Sequence, residues 1–459
     1  MALSESQDSE RAVWVPFAGL RTQLRAWLQD SGHRSIAQRI ASAAFLIRVF
    51  SAGLIYLSQI LLARWMGSFE FGIYVYVWTL VLVVGDLADL GFATAAQRFV
   101  PEYKKRGALD LLRGFLSRSR WLAVGSATVL AAIGILTIHL LKPYITDYLV
   151  LPLSIACATL PFYTLMQMQD GIARAHNWIH VALLPPYVVR HLIMLIIVLA
   201  AYLFKFPANA ETAVIAVAVA LMLTVIGQTI VLNRQLRRAV PPGPKAYESQ
   251  TWFSVSLPIM IVEGFYLFLT STDIVMLHYF RNPDDVAVYY AAAKTLVLIT
   301  FVHFAVSAAV GHRFSEYHVT KDHARLDEIL SDSIRWTFWA SLAATVVVLA
   351  TGPLLLSLFG AQFVDGYRLM LILAVGLMAR ASLGPVERLL NMLGEQRACA
   401  TVYATAFMVN LVIGVVLIPR IGVDGAAIAT ATALIVESAM LFFVTRRRLG
   451  FHVFIWGRS

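Results

Sequence analysis

The chain has 459 residues, of which 59% are hydrophobic and only 14% charged, with a formal net charge of +10 and a mean hydropathy of +0.72. A soluble domain is nearer a quarter charged, and the apolar residues fall in blocks of 20 or more, long enough to cross a hydrocarbon layer. This excludes an ordinary soluble enzyme or nucleic-acid-binding protein and points to an all-α polytopic membrane protein, since the lipid-facing backbone must be helical.

In chain order, the stretch LRTQLRAWLQD comes first. It places Leu20, Leu24, Trp27 and Leu28 on one helical face with arginines between them, as expected of a segment lying on the inner membrane surface. The first apolar block is too long for a cleaved signal peptide, and no small-residue cleavage site follows it. Twelve spans are expected at 36–63, 71–97, 119–141, 148–170, 180–204, 211–233, 252–279, 285–311, 336–359, 366–392, 398–419 and 424–446. The loops between them are short and leave no room for an external catalytic domain. With the N-terminus placed inside, the cytoplasmic segments hold 26 basic residues and the outer loops six. That excess predicts cytoplasmic N- and C-termini.

The two halves repeat at an offset near 215. RFVPEY (Arg98–Tyr103) answers RFSEY (Arg313–Tyr317), and LSRSRW (Leu116–Trp121) answers LSDSIRW (Leu330–Trp336). GIY at Gly72 answers AVY at Ala287, and TLVL stands at both Thr79 and Thr295. Six spans return the chain to the same side, so the repeats run parallel. The expected plan is two pseudo-symmetric six-helix bundles, 36–233 and 252–446. A cytoplasmic segment 1–35, a linker 234–251 containing PPGP, and a tail 447–459 complete the chain. Two such bundles around a cavity make a transporter.

Five of the 37 basic residues lie within spans. Arg388 is near a cytoplasmic end, where a long side chain snorkels. Arg48, Arg190, Lys294 and Arg380 are near mid-span, two in each half, where a charge costs roughly 2.5–3.5 kcal/mol on insertion scales. One reading is structural: neutralisation by intramembrane acids. The other is a water-filled cavity whose cations bind an anionic group; arginine's fork of donors suits phosphate, and lysine acts as a point charge. Among the acids, Asp86, Glu263 and Glu437 are deep. Asp86 and Asp89 are three apart and share a helix face, so they either bind a sodium ion or proton or pair with Arg98 or a span 1 arginine. Arg380 and Glu387, seven apart on one expected helix, are too far separated to pair. Pro185 and Pro186 break span 5 just before Arg190, Pro258 precedes Glu263, and Pro385 follows Arg380 within span 10. Interrupted spans often mark transporter sites.

No Walker loop, HExxH or CxxC motif occurs. Cys157 and Cys399 sit in apolar segments as packing residues. No enzyme activity, cofactor or metal is expected.

LLARWMGSFEFGIYVYVWTL…ADLGFATAAQRFVPEY, from Leu61, resembles the N-terminal signature of the polysaccharide flippases, the Wzx-like exporters. Their superfamily also contains the MATE drug exporters and the MurJ lipid II flippases. LIPRIGVDGAAIATATALIVE (Leu417–Glu437) is similar to the same family's last two spans, and STDIVMLHYF followed by VYYAAAK resembles its spans 7 and 8. The resemblance implies alternating access between two bundles. It also implies a polyprenyl-pyrophosphate-linked oligosaccharide, an O-antigen or exopolysaccharide repeat unit, carried across a bacterial inner membrane. Beside that substrate, the expected partners are H+ or Na+ as a coupling ion, membrane lipids and polysaccharide polymerase machinery. The four mid-span cations match no family motif. Twelve spans argue against MurJ, which carries fourteen, and a basic cavity argues against organic cations. A MATE-like ion-coupled antiporter and a non-transporting scaffold of a polysaccharide assembly complex remain the alternatives; a scaffold would tolerate loss of every central charge.

Overall fold

The computed structural model describes residues 33–319 and 323–455. Residues 1–46 form a unit of their own, of which only the helical stretch 33–46 is described; Ile47–Ser459 is a second, single body. The expected surface segment at 20–30 therefore lies outside the described residues.

The described residues form helices and no strands, and include twelve helices long and apolar enough to span a membrane. Spans 1–6 are Leu46–Met66, Ser68–Arg106, Leu109–Leu140, Asp147–Ala175, Ile179–Leu203 and Ala210–Ala239. Spans 7–12 are Ser249–Phe280, Pro283–His303, Arg325–Ala350, Ala361–Ala381, Gln396–Ile421 and Val423–Leu449. The helix of span 1 begins at His33, and that of span 8 runs on to Val319. The packing partly repeats between halves: span 6 lies on spans 4 and 5, and span 12 lies on spans 10 and 11. Span 2 joins the halves, touching spans 7 and 8.

Span 2 is not one helix. It stops at Ala88, and a second helix runs Phe92–Arg106. Leu90 and Gly91 both have positive φ, 56° and 75°. A left-handed residue ends a helix, and glycine takes that conformation without a Cβ penalty. Asp89 restarts the helix by accepting from the backbone N–H of Gly91 at 2.7 Å and of Ala93 at 3.2 Å. Span 8 stays helical at the equivalent place because residues 304–306 read Phe-Ala-Val, with neither the cap nor the glycine. Span 10 is also shorter than expected. It ends at Ala381, and a separate helix runs Val386–Met392. Pro385, which cannot continue a helix, is the N-cap of that short helix. In span 5, the prolines at 185 and 186 open a π turn over Pro185–Val189 that leads directly into Arg190. Span 7 continues through Pro258 unbroken.

The linker between halves is shorter than 234–251, because span 6 continues to Ala239 and span 7 starts at Ser249. It is clamped to span 3. Arg113 donates to the carbonyls of Pro241 (3.0 Å) and Pro244 (2.8 Å), and the Ala246 N–H donates to Asp110 O at 3.0 Å. Trp252, fully buried, then donates its indole N–H to Tyr103 at 2.8 Å and packs edge-on against Phe115. The tail also packs: Val453 and Ile455 are buried in the apolar cluster that holds Leu389 and Val402.

Candidate functional site

The four cations expected near mid-span share one local arrangement, in which each lies against an aromatic ring; Arg380 is not mid-span, because span 10 ends at Ala381 and leaves it in the last turn. Arg48, on span 1, lies with its guanidinium 4.0 Å from the ring centroid of Tyr187, which the π turn of span 5 presents. Arg190, the first residue after that turn, lies 5.1 Å from the ring of Trp78 on span 2; its Nη2 is 3.1 Å from His191 Nε2. The Lys294 ammonium is 5.0 Å from the ring of Tyr290, one turn back on span 8. Arg380 is 5.9 Å from Tyr266 on span 7. A cation over a ring face is stabilised by roughly 0.5–2 kcal/mol, more as water is excluded. The ring covers the face of a guanidinium and not the edge that carries its N–H donors.

Arg380 also faces two carboxylates. Its Nη2 is 3.1 Å from Glu387 and its Nε is 3.5 Å from Glu437. The expectation that Arg380 and Glu387 cannot meet is wrong, because it assumed one continuous helix. The break at 382–385 folds the short helix back, so seven residues no longer span two turns. Glu437 on span 12 is fully buried and makes no hydrogen bond among the described residues, so Arg380 is its electrostatic partner.

Neutral donors hold Asp86, Asp89 and Glu263, and Arg174 holds Asp170. Asp86 accepts from Tyr163 (2.9 Å) and Gln167 (3.0 Å), both on span 4. Asp89 caps the second half of span 2 as described above. Glu263 on span 7 accepts from Thr94 on span 2 at 2.8 Å. Asp170 pairs with Arg174, one turn on, at 2.8 Å. Arg98, weighed as a partner for Asp86 or Asp89, pairs with Glu102 at 3.8 Å.

Two cavities result. One, about 360 Å³, lies between spans 2, 4 and 7 and is lined by Asp86, Asp89, Asp170, Glu263 and Arg174. The other, about 540 Å³, lies within the second half and is lined by Arg380, Glu387, Arg388, Asn391, His303 and apolar side chains. Of the four cations, Arg380 lines a cavity; Arg48, Arg190 and Lys294 are outside these two linings among the described residues. The structure thus brings Arg48 and Arg190 together at the 185–190 turn, gathers Asp86, Asp89 and Glu263 around one cavity, and places Glu437 behind Arg380. The aromatic partners Tyr187, Trp78, Tyr290 and Tyr266 were missed from sequence. Only Tyr290 offered a cue, four residues before Lys294 on one helix. Arg174 was missed as a lining residue, though its i,i+4 spacing from Asp170 was legible.

Comparison with known proteins places this geometry. A model described as polysaccharide biosynthesis protein matches residues 39–318, and the MatE model matches 258–416. A relative in Haloferax volcanii, described as the probable low-salt glycan biosynthesis flippase Agl15, is 21% identical over 174 residues. That match spans 38% of this chain and only 37% of the relative's length. Among solved structures, an inward-facing multidrug resistance MATE family transporter of the MOP superfamily superposes with TM-score 0.69 at 15% identity, covering 88% of this chain and 98% of that one. Lipid II flippase MurJ in an inward closed conformation gives TM-score 0.69 at 14% identity, covering 88% and 87%. At these identities the structural likeness shows a shared fold.

Proposed function

The chain belongs to the polysaccharide biosynthesis protein family, and on that premise we propose that it is a transporter that flips a polyprenyl-pyrophosphate-linked oligosaccharide from the inner to the outer leaflet of a bacterial inner membrane. The basic excess of 26 to six supports cytoplasmic termini. The observation that carries the reading is the set of four cations within the spans, each laid on an aromatic ring. Cations suit the pyrophosphate, aromatic faces suit the apolar faces of sugar rings, and the polyprenyl tail stays in lipid. Arg48 and Arg190, at the turn of span 5, are the strongest candidates for the anion. Each guanidinium carries a fork of donors that matches paired phosphate oxygens. Lys294 adds a point charge, and Arg380 lends the remaining donors of a guanidinium already facing two carboxylates.

The test is export in cells lacking the gene. Such cells should lose the surface polysaccharide and accumulate lipid-linked units at the inner leaflet. Restoring the chain with Arg48→Ala or Arg190→Ala should leave that defect in place although the protein reaches the membrane. Full export by both variants would remove the site from consideration.

A MATE-like ion-coupled antiporter is the second reading, and two observations favour it: the MatE match over 258–416 and the four carboxylates around the 360 Å³ cavity. Drug resistance on expression, with surface polysaccharide unaltered by deletion, would select it.

A further inference from the structure

At the end of the molecule away from the linker, the first six spans meet the last six backbone to backbone. Gly72 on span 2 lies against the carbonyl of Pro283 at the start of span 8, and a Cβ at position 72 would land on that oxygen. A glycine there is required by close approach. Around this crossing, Phe71 packs edge-on against Tyr290 at 6.0 Å and Phe363 at 6.2 Å, and the Ser68 hydroxyl donates to the Asp284 carboxylate. Arg64, in the last turn of span 1, reaches across as well. Its Nε donates to Leu358 O and its Nη2 to Ser357 O, each at 2.7 Å. These carbonyls belong to the C-terminal end of the helix Gly352–Ser357, where backbone acceptors lack helical partners and favour a cation.

We propose that this joint is the outer seal of the transport path, with Gly72 as the contact on which closure depends and Arg64 as the latch that holds it. The assignment rests on the two-half transporter reading given above, and it uses the orientation that puts this end outside. The seal is dry and backbone-based at its centre, so it tolerates no added atom. Alanine at 72 drives a methyl group into a carbonyl that neither helix can move without separating, which penalises the closed state and not the open one. Alanine at 64 adds no bulk and removes two charge-assisted hydrogen bonds made only when the joint is shut. Two unrelated perturbations therefore push the same equilibrium the same way.

The test is the distance between spin labels in the full chain, purified with Cys157 and Cys399 replaced by serine. Tyr144 and Tyr279, 88% and 81% exposed, report the sealed end on the first and second halves; Trp121 and Trp336, 75% and 72% exposed, report the opposite end. Cysteines at one pair carry the labels in each sample. Gly72→Ala and Arg64→Ala are each expected to raise the population of a longer Tyr144–Tyr279 distance by about tenfold, while the Trp121–Trp336 distance shortens. Gly53→Ala, at a glycine with open space around it, is expected to leave both distributions as in the parent. Parental distributions in both variants would overturn the assignment, and so would widening at both ends together, which is general loosening. Because no substrate is present, the result stands apart from whether the cargo is a glycan.

Discussion

Replacing Arg380 by alanine removes the cation that faces both Glu387 and Glu437. Glu437 is fully buried and has no hydrogen bond among the described residues, so its carboxylate depends on the guanidinium 3.5 Å away. Removing one partner of a buried ion pair typically costs about 3–5 kcal/mol, because a charge is left without compensation. The lower half of that range is the expectation, since Glu387 is partly exposed. Thermal aggregation in detergent, followed by size-exclusion chromatography, should show Arg380→Ala melting well below the parent. Adding Glu437→Gln should recover about 0.5–3 kcal/mol, the usual coupling between contacting residues. Export separates the two roles of Arg380: a purely structural arginine predicts that the double variant regains export along with stability, and a substrate-binding one predicts stability without export. If Arg380→Ala is as stable as the parent, or Glu437→Gln gives Arg380→Ala no recovery, the inferred dependence of Glu437 on Arg380 is wrong.

The remaining predictions concern the first half. Asp89→Ala should cost about 0.5–2 kcal/mol by uncapping the helix Phe92–Arg106, while Asp89→Asn keeps an acceptor and should melt near the parent; equal losses would remove the capping role. Arg190→Lys keeps charge but loses the fork, so export should fall by about tenfold, between the parent and Arg190→Ala; parental export by the lysine variant would mean that charge alone suffices. Burial pushes the His176 imidazole, in the loop between spans 4 and 5, down from 6.5 to about 4, with Nδ1 donating to Ile172 O. Below about pH 6.5 the unfolded chain takes up a proton that the buried ring refuses, so stability should fall from there towards pH 4. Melting temperatures across that range should flatten in His176→Gln; an unchanged slope would assign the acid sensitivity elsewhere.

The spans were legible because hydropathy alone separates twelve blocks of lipid-compatible length, and because a charge in such a block is conspicuous. Arg48, Arg190, Lys294 and Arg380 could be named for that reason. The break in span 2 was not seen, and Pro385 was read as a bend within span 10 and not as its end, since Asp89-Leu90-Gly91 and Leu383-Gly384-Pro385 interrupt the backbone without interrupting the apolar run. One such break inverted the reading of Arg380 and Glu387: their spacing along an ideal helix forbids contact, and the fold-back permits it. The stacking of Arg48 on Tyr187 and of Arg190 on Trp78 joins residues 139 and 112 positions apart, which local periodicity does not encode. The joint at Gly72 was equally hidden, because a glycine in a span reads as a small residue until another backbone is laid against it.

The most direct measurement uses the purified chain in liposomes carrying a fluorescent polyprenyl-pyrophosphate oligosaccharide in one leaflet. A membrane-impermeant quencher follows arrival of the glycan in the other leaflet. Movement is predicted with the parent chain and is predicted to be lost with Arg48→Ala and Arg190→Ala. Glycan that stays in its original leaflet with the parent, or crosses equally well with both variants, would contradict a flippase built on these cations.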